Sequence, residues 1–239
     1  MGNQATFRFY DELNDFLPLD KKKVAFLHFF DGTPSLKDSI EAIGVPHVEV
    51  KSIQINGKPA DLSYRLKNND VVSVYPVLRQ KEGKEIKFIL DVHLGKLAKY
   101  LRMCGFDTLY QNDYDDKKII EISLQENRII LTRDIGILKM KSVSQGYFIR
   151  DQNSQAQLTE VLNHFNLYHV INPFSRCIKC NGKLERIEKE KIVEQLQPLT
   201  KKYFNTFFRC THCQSIFWEG SHFDRMSNFI NTVKNSGSY

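Results

Sequence analysis

The sequence predicts an α/β protein built on a parallel sheet, with a small α+β domain before it and a small metal-stapled domain after it. Between about residues 87 and 170, short apolar strands alternate with amphipathic helices, which is typical of parallel sheets. The first 80 residues instead follow a strand, turn, strand, helix, strand, strand order. From about residue 171 the chain carries two Cys-x-x-Cys pairs and few long apolar runs. A domain this small generally needs a metal to hold it together.

Turn and capping signals organise the first segment, residues 1–80. Ser35 stands at a helix N-cap position with Asp38 three residues later, which is close to a capping box. Asn56-Gly57 is a strong hairpin turn signal. Strands are predicted at the start of 5–16, at 23–30, at 50–55 and at 71–77. Residues 79–86 form a charged linker without apolar periodicity.

The second segment, residues 87–170, reads as successive strands and helices. Leu94, Leu97, Ala98 and Leu101 recur at the spacing of one helix face, and Gly105 ends that helix. Strands are predicted at 88–90, 107–110, 128–132 and 146–149, and further helices at 119–125, from 135, and at 158–166. We predict domains at 1–80, 87–170 and 171–225, followed by a tail at 226–239 that is Ser/Asn-rich and frayed after about residue 228.

Composition and charge narrow the class of protein. The chain has 239 residues, of which 41% are hydrophobic and 26% charged, so a folded core is expected. It contains no run of about 18 apolar residues and no signal-peptide pattern, so we predict a cytoplasmic protein without a membrane span. Residues 176–239 hold 11 basic and 6 acidic groups, so most of the net charge of +6 lies there. Such a region attracts polyanions, and a solvated basic surface is the alternative.

Three aspartates form the first candidate site. Two apolar strands end in Asp91 and Asp134, and Asp116 opens the helix between them. The carboxyl ends of parallel strands share one sheet edge, and converging carboxylates repel one another unless a cation lies between them. Mg²⁺ or Mn²⁺ prefers such oxygen ligands and activates water for phosphodiester hydrolysis. The alternative is that each aspartate is a turn former or helix N-cap, as we expect for Asp115; Asp113 is a weaker candidate ligand.

Four cysteines form the second candidate site. Cys177 and Cys180 make one Cys-x-x-Cys pair, and Cys210 and Cys213 make the other. Two such turns complete a tetrahedral Zn²⁺ site with no open position, which makes the metal structural. Iron–sulfur ligation or a redox pair is the alternative, and His212 is expected outside the ligand set. Cys104 lies in an apolar helical pattern and is expected to be a small buried hydrophobe.

Basic and aromatic side chains surround the cysteines and indicate an RNA partner. Basic groups bind phosphates, and aromatic faces either stack unpaired bases or form the small core of this domain. The basic residues are Arg176, Lys179, Lys183, Arg186, Lys201, Lys202 and Arg209, and the aromatic residues are Tyr203, Phe207, Phe208, Phe217 and Trp218.

A series of short motifs runs through the second and third segments. They are 88–91 (FILD), 94–102 (LGKLAKYLR), 105–108 (GFDT), Asp116 ahead of 119–121 (IIE), 128–134 (RIILTRD), 173–177 (PFSRC), 208–210 (FRC), Trp218, Gly220, Ser221 and His222. Together these motifs resemble the Mut-seven C-terminal RNase family of PIN-like domains. The resemblance implies a PIN-like nuclease fold with Asp91, Asp116 and Asp134 as acidic metal ligands. PIN nucleases commonly use four acids, and Asp151 is one candidate for the fourth.

The first segment resembles ubiquitin-like β-grasp domains of the sulfur-carrier type. The matching residues are Ile55-Asn56-Gly57, Leu66, Asp70, Val71-Val72 and Pro76. Sulfur carriers end in a Gly-Gly tail, whereas here the chain continues from Pro76 into another domain, so carrier chemistry is unsupported. A domain that binds a protein partner is favoured over a purely structural appendage.

The leading hypothesis from these patterns is a metal-dependent ribonuclease whose zinc ribbon helps to hold RNA. A non-catalytic RNA-binding or RNA-processing adaptor with the same fold is the rival. A scaffold that acts through protein contacts of the β-grasp domain is the third reading.

Overall fold

The computed structural model describes residues 2–77 and 86–236. The chain divides into two compact units. The described residues of the first unit are 2–77 and 132–148, and those of the second are 86–131 and 149–236. The predicted charged linker at 79–86 lies outside the described residues except for its last position. These two compact units are not the three predicted domains, whose boundaries stay a prediction.

Strands and α-helices alternate between residues 87 and 164, whereas elsewhere in the described chain strands also follow one another directly. In chain order the elements are β1 (Asn3–Phe9), β2 (Phe26–Phe30), α1 (Leu36–Ile43), β3 (Val50–Ile55), β4 (Lys58–Ala60), β5 (Val71–Pro76), β6 (Lys87–Leu90), α2 (Gly95–Met103), β7 (Asp107–Leu109), α3 (Asp116–Glu126), β8 (Ile129–Thr132), α4 (Ile135–Lys139), β9 (Gly146–Phe148), α5 (Ser154–His164), β10 (Leu184–Ile187), α6 (Pro198–Tyr203), β11 (Phe207–Cys210), β12 (Ile216–Trp218) and α7 (Ser221–Ser236).

The first unit contains a mixed five-stranded sheet in the order β2-β1-β5-β3-β4. Strand β1 is parallel to β5, and the other pairs are antiparallel. Its core includes Phe7, Phe9, Leu36, Ile40 and Leu66, each at most 1% exposed. This strand order with one packed helix confirms the predicted ubiquitin-like β-grasp domain.

Two local signals in this domain act as predicted. The Ser35 hydroxyl accepts a hydrogen bond from the Asp38 backbone N–H at 3.1 Å and so caps α1. The hairpin between β3 and β4 turns at Asn56 and Gly57, whose φ angles of 50° and 78° lie in the left-handed region. Such φ values are why Asn-Gly suits a two-residue hairpin.

Residues 132–148, which include α4 and β9, pack with the β-grasp domain as part of the first unit. The buried carboxylate of Glu49 accepts a hydrogen bond from the Phe148 backbone N–H at 2.6 Å. The Lys139 ammonium donates to the Glu41 carbonyl oxygen at 2.8 Å. The β-grasp domain therefore holds the stretch of chain that begins directly before Asp134.

The second unit contains the parallel strands β7, β6 and β8, with β6 in the middle. All four residues of β8 are buried, as are the last three of β6. Burial on both faces explains why these strands read as continuous apolar runs. The structure confirms the predicted α/β domain with a parallel sheet.

The second unit also holds a three-stranded antiparallel sheet in the order β10-β11-β12, which carries the cysteine region.

Two predictions about helices need correction. The helix predicted at 158–166 begins at Ser154, because the Asn153 side chain caps it by accepting from the N–H groups of Gln155 and Ala156. The frayed tail predicted after about residue 228 is wrong as far as Ser236, because α7 continues to that residue. Ile230 and Val233 on α7 are buried, so packing stabilises a helix that its Ser/Asn-rich sequence does not favour.

Within the described residues, no helix has both the length and the apolar character to cross a membrane.

Candidate metal centres

The four predicted cysteines lie together. Their Sγ atoms are all within 4.8 Å of one another. The Cys177–Cys213 pair is 3.7 Å apart and the Cys180–Cys210 pair 3.4 Å. A tetrahedral Zn²⁺ with bonds of about 2.3 Å separates its sulfur ligands by about 3.8 Å, so the group fits this ion. Among residues 2–77 and 86–236, it is the one group of three or more His, Cys, Asp or Glu whose ligand atoms lie this close, and His212 is not part of it.

The two cysteine turns have the same backbone geometry. Asn181 and Gln214, each four residues after the first cysteine of its pair, have φ angles of 70° and 60°. Each donates its backbone N–H to the carbonyl oxygen of that first cysteine, at 2.9 Å and 3.1 Å respectively. A Cβ on Gly182 would lie 2.7 Å from the Cys210 Sγ, so the packing requires glycine there. These local turns aim both thiols of each pair at a common point.

The environments of the thiols differ before a metal is considered. Burial raises the pKa of Cys177 to about 12, whereas a hydrogen bond with the Ser215 hydroxyl lowers the pKa of Cys213 to about 6. Zinc binds thiolates, so its binding is coupled to loss of the thiol protons. Cys104 is fully buried and burial raises its pKa to about 12, which agrees with the predicted small hydrophobe.

A buried arginine docks the first cysteine turn onto the parallel-sheet domain. Arg102 on α2 is 4% exposed. Its guanidinium donates to the carbonyl oxygens of Ile178 at 3.3 Å and Lys179 at 3.1 Å, the two residues between the first pair of cysteines. It also donates to the Thr108 carbonyl oxygen, at the centre of β7, at 2.8 Å. One side chain thus fixes the cysteine turn relative to the sheet.

Asp107 at the start of β7 is the centre of a second buried network. Its carboxylate accepts from Arg128 at 2.6 Å, Asn181 at 2.7 Å and Arg176 at 3.1 Å. Burial by itself would raise the pKa of Asp107, but these hydrogen bonds and positive charges outweigh burial and hold the pKa below its usual range. Arg128 belongs to the sheet and Asn181 to the cysteine turn, so Asp107 joins the two.

Each predicted acidic ligand begins a helix. The Asp91 carboxylate, 4% exposed, accepts from the His93 N–H at 2.8 Å and caps the 3-10 helix Val92–Leu94. The exposed Asp134 accepts from the Gly136 N–H at 2.6 Å and caps α4. Asp116 is the first residue of α3 and is exposed, while Asp115 caps that helix, as predicted.

The three predicted acidic ligands do not all belong to the same compact unit. Asp91 and Asp116 belong to the second unit and Asp134 to the first. Within the second unit, Leu90 is paired with Leu131 in parallel register, and the Asp91 N–H donates to the Leu131 carbonyl oxygen at 3.2 Å. Asp134 follows Leu131 by three residues along the chain. The predicted convergence of the three carboxylates stays a prediction.

The other three acids considered as a possible fourth ligand, Asp113, Asp115 and Asp151, are all exposed. Asp115 is committed to capping α3, and nothing in the structure selects among the three.

The basic and aromatic residues around the cysteines divide into different roles. Arg176 is paired with Asp107, so it is part of the internal network rather than an open phosphate contact. Phe207 is fully buried and belongs to the core of the ribbon, whereas Trp218 and Tyr203 are 38% and 64% exposed. Sequence reasoning treated these residues as one group.

Sequence reasoning gave no role to Arg102 or Asp107, although both fall within the motifs quoted for the family resemblance. A signal was present for Arg102, because it lies eight residues after Leu94 and so falls on the predicted apolar face of α2. A charged residue on such a face requires partners. Asp107 gave no such signal, because its partners Arg176 and Asn181 are about 70 residues away in the sequence.

Comparisons with known proteins agree with this architecture. Residues 86–230 match the Mut7-C RNAse domain, and residues 2–82 match the Mut7-C ubiquitin domain. The human protein named exonuclease mut-7 homolog is 32% identical over 108 residues, which cover 43% of this chain but 12% of the human protein.

A solved structure, that of the H. volcanii small archaeal modifier protein 1, aligns over its full length with 32% of this chain, at 14% identity and a TM-score of 0.26. The family match spans more than half of the chain and covers both the parallel sheet and the cysteine cluster. The chain belongs to the Mut7-C RNAse domain family, and a ubiquitin-like domain of the Mut7-C type precedes that domain.

Proposed function

We propose that this protein is a metal-dependent ribonuclease that hydrolyses RNA phosphodiester bonds. The observation that carries the proposal is the parallel pairing of β6 and β8, with Leu90 opposite Leu131 and an aspartate shortly after each strand. The carboxyl ends of parallel strands are where open α/β sheets place their sites. Membership of a family described as an RNAse domain supports this reading.

In this proposal Asp91, Asp116 and Asp134 hold Mg²⁺ or Mn²⁺. Such an ion, when bound, activates a water and stabilises the charge that develops at the phosphate. The protein's own contribution is to fix the carboxylates. Asp91 is buried and its orientation is set by the His93 N–H, and Asp134 is oriented in the same way by the Gly136 N–H.

The cysteine group is assigned a structural Zn²⁺. With four thiolate ligands the ion keeps no open position, so it holds the ribbon rather than reacting. The excess of basic residues after residue 176 then attracts RNA phosphates toward the ribbon.

Cleavage of labelled single-stranded RNA tests the proposal. Wild-type protein is expected to cut the RNA when Mn²⁺ or Mg²⁺ is added and not in excess chelator. Asp91→Asn and Asp134→Asn are each expected to lower the rate by at least about a hundredfold, on the scale of lost transition-state charge stabilisation. Asp20→Asn, an exposed aspartate outside the proposed site, is the matched control and is expected to retain the wild-type rate. Equal cleavage by all three variants would overturn the metal-site assignment.

A non-catalytic RNA-binding or RNA-processing adaptor is the second candidate. Its specific support is that Asp91 and Asp134 already act as helix caps, a role that needs no metal. RNA binding without cleavage under either metal would favour this adaptor.

For the β-grasp domain we propose a protein partner, and for the chain a cytoplasmic location. The cytoplasmic assignment draws on cysteines paired for a metal rather than for disulfides, and the five cysteines are all unbridged.

A further inference from the structure

An aromatic pocket of about 280 Å³ lies within the second unit, between the cysteine ribbon and the beginning of α7. Side chains that line it include Phe174, Arg176, Phe208, Phe217, Trp218 and Phe223. We infer that this pocket binds one unstacked base of single-stranded RNA. The inference rests on the proposed function and names a substrate contact for it.

The ribbon contributes one face of its sheet to the pocket. Phe208 on β11 stands opposite Phe217 on β12 in antiparallel register, so both rings project from the same face. Both side chains are half-buried, whereas Phe207 projects from the other face and is fully buried. The aromatic run therefore separates into one core residue and a pair of rings that line the pocket.

Phe174, which also lines the pocket, has an unusual backbone conformation. Phe174 has a φ of 58°, a left-handed value that is uncommon for a bulky side chain. Its backbone N–H donates to the Met103 carbonyl oxygen at 3.0 Å, and its ring lies 4.5 Å from the ring of Phe223. Residues held in such conformations cluster at ligand sites.

Gly105 allows this wall to run close to the end of α2. Its φ is 96°, and a Cβ there would collide with the Asn172 carbonyl oxygen. The Asn172 N–H in turn donates to the Cys104 carbonyl oxygen at 3.0 Å. The pocket wall is thus anchored to the parallel-sheet domain.

The chemistry of the pocket suits a base better than an apolar protein segment. Its volume is at the low end of ligand pockets, about 300–1,000 Å³, which fits one small planar ring. Glu219 adds carboxylate acceptors to the aromatic walls, which suit the amino groups on the edge of a base. The net charge of +5 over residues 176–239 favours a polyanionic ligand.

The fluorescence of Trp218 tests the inference. It is the single tryptophan of the chain, lines the pocket and is 38% exposed, so a stacked base is expected to quench it. The full-length protein is titrated with a short single-stranded oligoribonucleotide without added Mg²⁺ or Mn²⁺. An abasic oligoribonucleotide of equal length is the second probe. The natural RNA is expected to quench saturably and to bind at least about fivefold more tightly than the abasic one, because one stacked base contributes about 1–3 kcal/mol.

Two variants separate stacking from general attraction to phosphates. Phe208→Leu keeps the apolar volume but removes a ring and is expected to weaken RNA binding by at least about fivefold. Phe29→Leu removes an exposed aromatic residue of the β-grasp domain, outside the pocket, and is expected to leave binding unchanged. If Phe208→Leu does not retain its zinc, Phe217→Leu takes its place, and the abasic comparison needs no variant.

Three results would overturn the inference: equal affinity for the two probes, equal effects of the two substitutions, or quenching by an apolar peptide but not by RNA. Loss of quenching with RNA cleavage intact would overturn the pocket assignment alone. Base-dependent quenching without cleavage under any metal would uphold the pocket and overturn the nuclease.

Discussion

The cysteine cluster and the acidic residues are built in opposite ways. The four thiols lie within 4.8 Å because two similar local turns each deliver a pair, and the side chains of Arg102 and Asp107 hold the first turn against the sheet. The aspartates are instead oriented one at a time, each at the beginning of its own helix, and they are divided between two compact units. The geometry of each cysteine pair thus follows from short spacing in the sequence. The proposed acidic site instead depends on the order of the strands and therefore on the whole fold.

The β-grasp domain contacts residues 132–148, which include one of the three proposed acidic ligands. These residues follow β8 of the parallel sheet, yet they group with the β-grasp domain and contact it through Glu49 and Lys139. The acidic centre that we propose therefore draws one ligand, Asp134, from a stretch that the β-grasp domain supports, whereas the cysteine cluster lies entirely within the second unit.

Removing a cysteine gives the largest expected effect. Cys210→Ser is expected to lower the zinc content from about one equivalent to below about a tenth and to unfold the ribbon, because structural zinc binding of about 10–16 kcal/mol is folding free energy. Elemental analysis and hydrogen exchange over residues 177–218 measure both. Cys104→Ala, a buried cysteine outside the cluster, is the control and is expected to keep its zinc. Freshly prepared wild-type protein with less than about half an equivalent of zinc contradicts the assignment.

Weakening the network that docks the cluster is expected to have the next largest effect. Asp107→Asn removes the carboxylate that pairs with both Arg128 and Arg176, whose side chains are 6% and 15% exposed, so we expect a loss of about 3–5 kcal/mol in the free energy of unfolding. Glu126→Gln is the matched control. Glu126 also pairs with Arg128, but its side chain is 47% exposed, so its loss is expected to cost below about 1 kcal/mol. Urea unfolding measures both, and equal losses would show that Asp107 has no special role.

The same carboxylate predicts the direction of a pH effect. The pKa of Asp107 is lowered in the folded protein, so its contribution to stability is present above the ordinary carboxyl pKa of about 3.9 and is lost as the pH falls through the lowered value. The difference in unfolding free energy between wild-type and Asp107→Asn protein is therefore expected to be constant near neutral pH and to shrink in acid. A difference that grows in acid has the wrong sign for this account.

The adjacent aspartates of α3 give the smallest expected change in stability and the sharpest division of roles. Asp115→Ala removes an N-cap and is expected to cost about 1 kcal/mol of unfolding free energy while leaving RNA cleavage intact. Asp116→Asn removes a negative charge from the first turn of α3, so it is expected to cost below about 1 kcal/mol of unfolding free energy and to abolish cleavage. The reverse outcome would make Asp115 the ligand.

Local patterns in the sequence predicted the features that depend on neighbouring residues. The Ser35 cap, the Asn56-Gly57 hairpin, the Asp115 cap and the pairing of the cysteines all follow from spacing within a few residues. The amphipathic pattern of α2 likewise predicted its buried face.

Features that depend on distant partners were not predictable in this way. Asp107 and Asn181 are joined across 74 positions, and Glu49 and Phe148 across 99. The continuation of α7 to Ser236 depends on the packing of Ile230 and Val233, which a Ser/Asn-rich composition does not reveal. The predicted convergence of Asp91, Asp116 and Asp134 also depends on residues that are distant in the sequence, so it needs a direct measurement.

A crystal structure of the protein with Mn²⁺ is the most direct test of the two proposed metal centres. The anomalous signals of manganese and zinc distinguish the two ions within one crystal. We expect zinc among Cys177, Cys180, Cys210 and Cys213, and manganese in contact with the carboxylates of Asp91, Asp116 and Asp134. Zinc at the four cysteines with no manganese at these aspartates, or with manganese bound elsewhere, would contradict the proposed acidic metal centre.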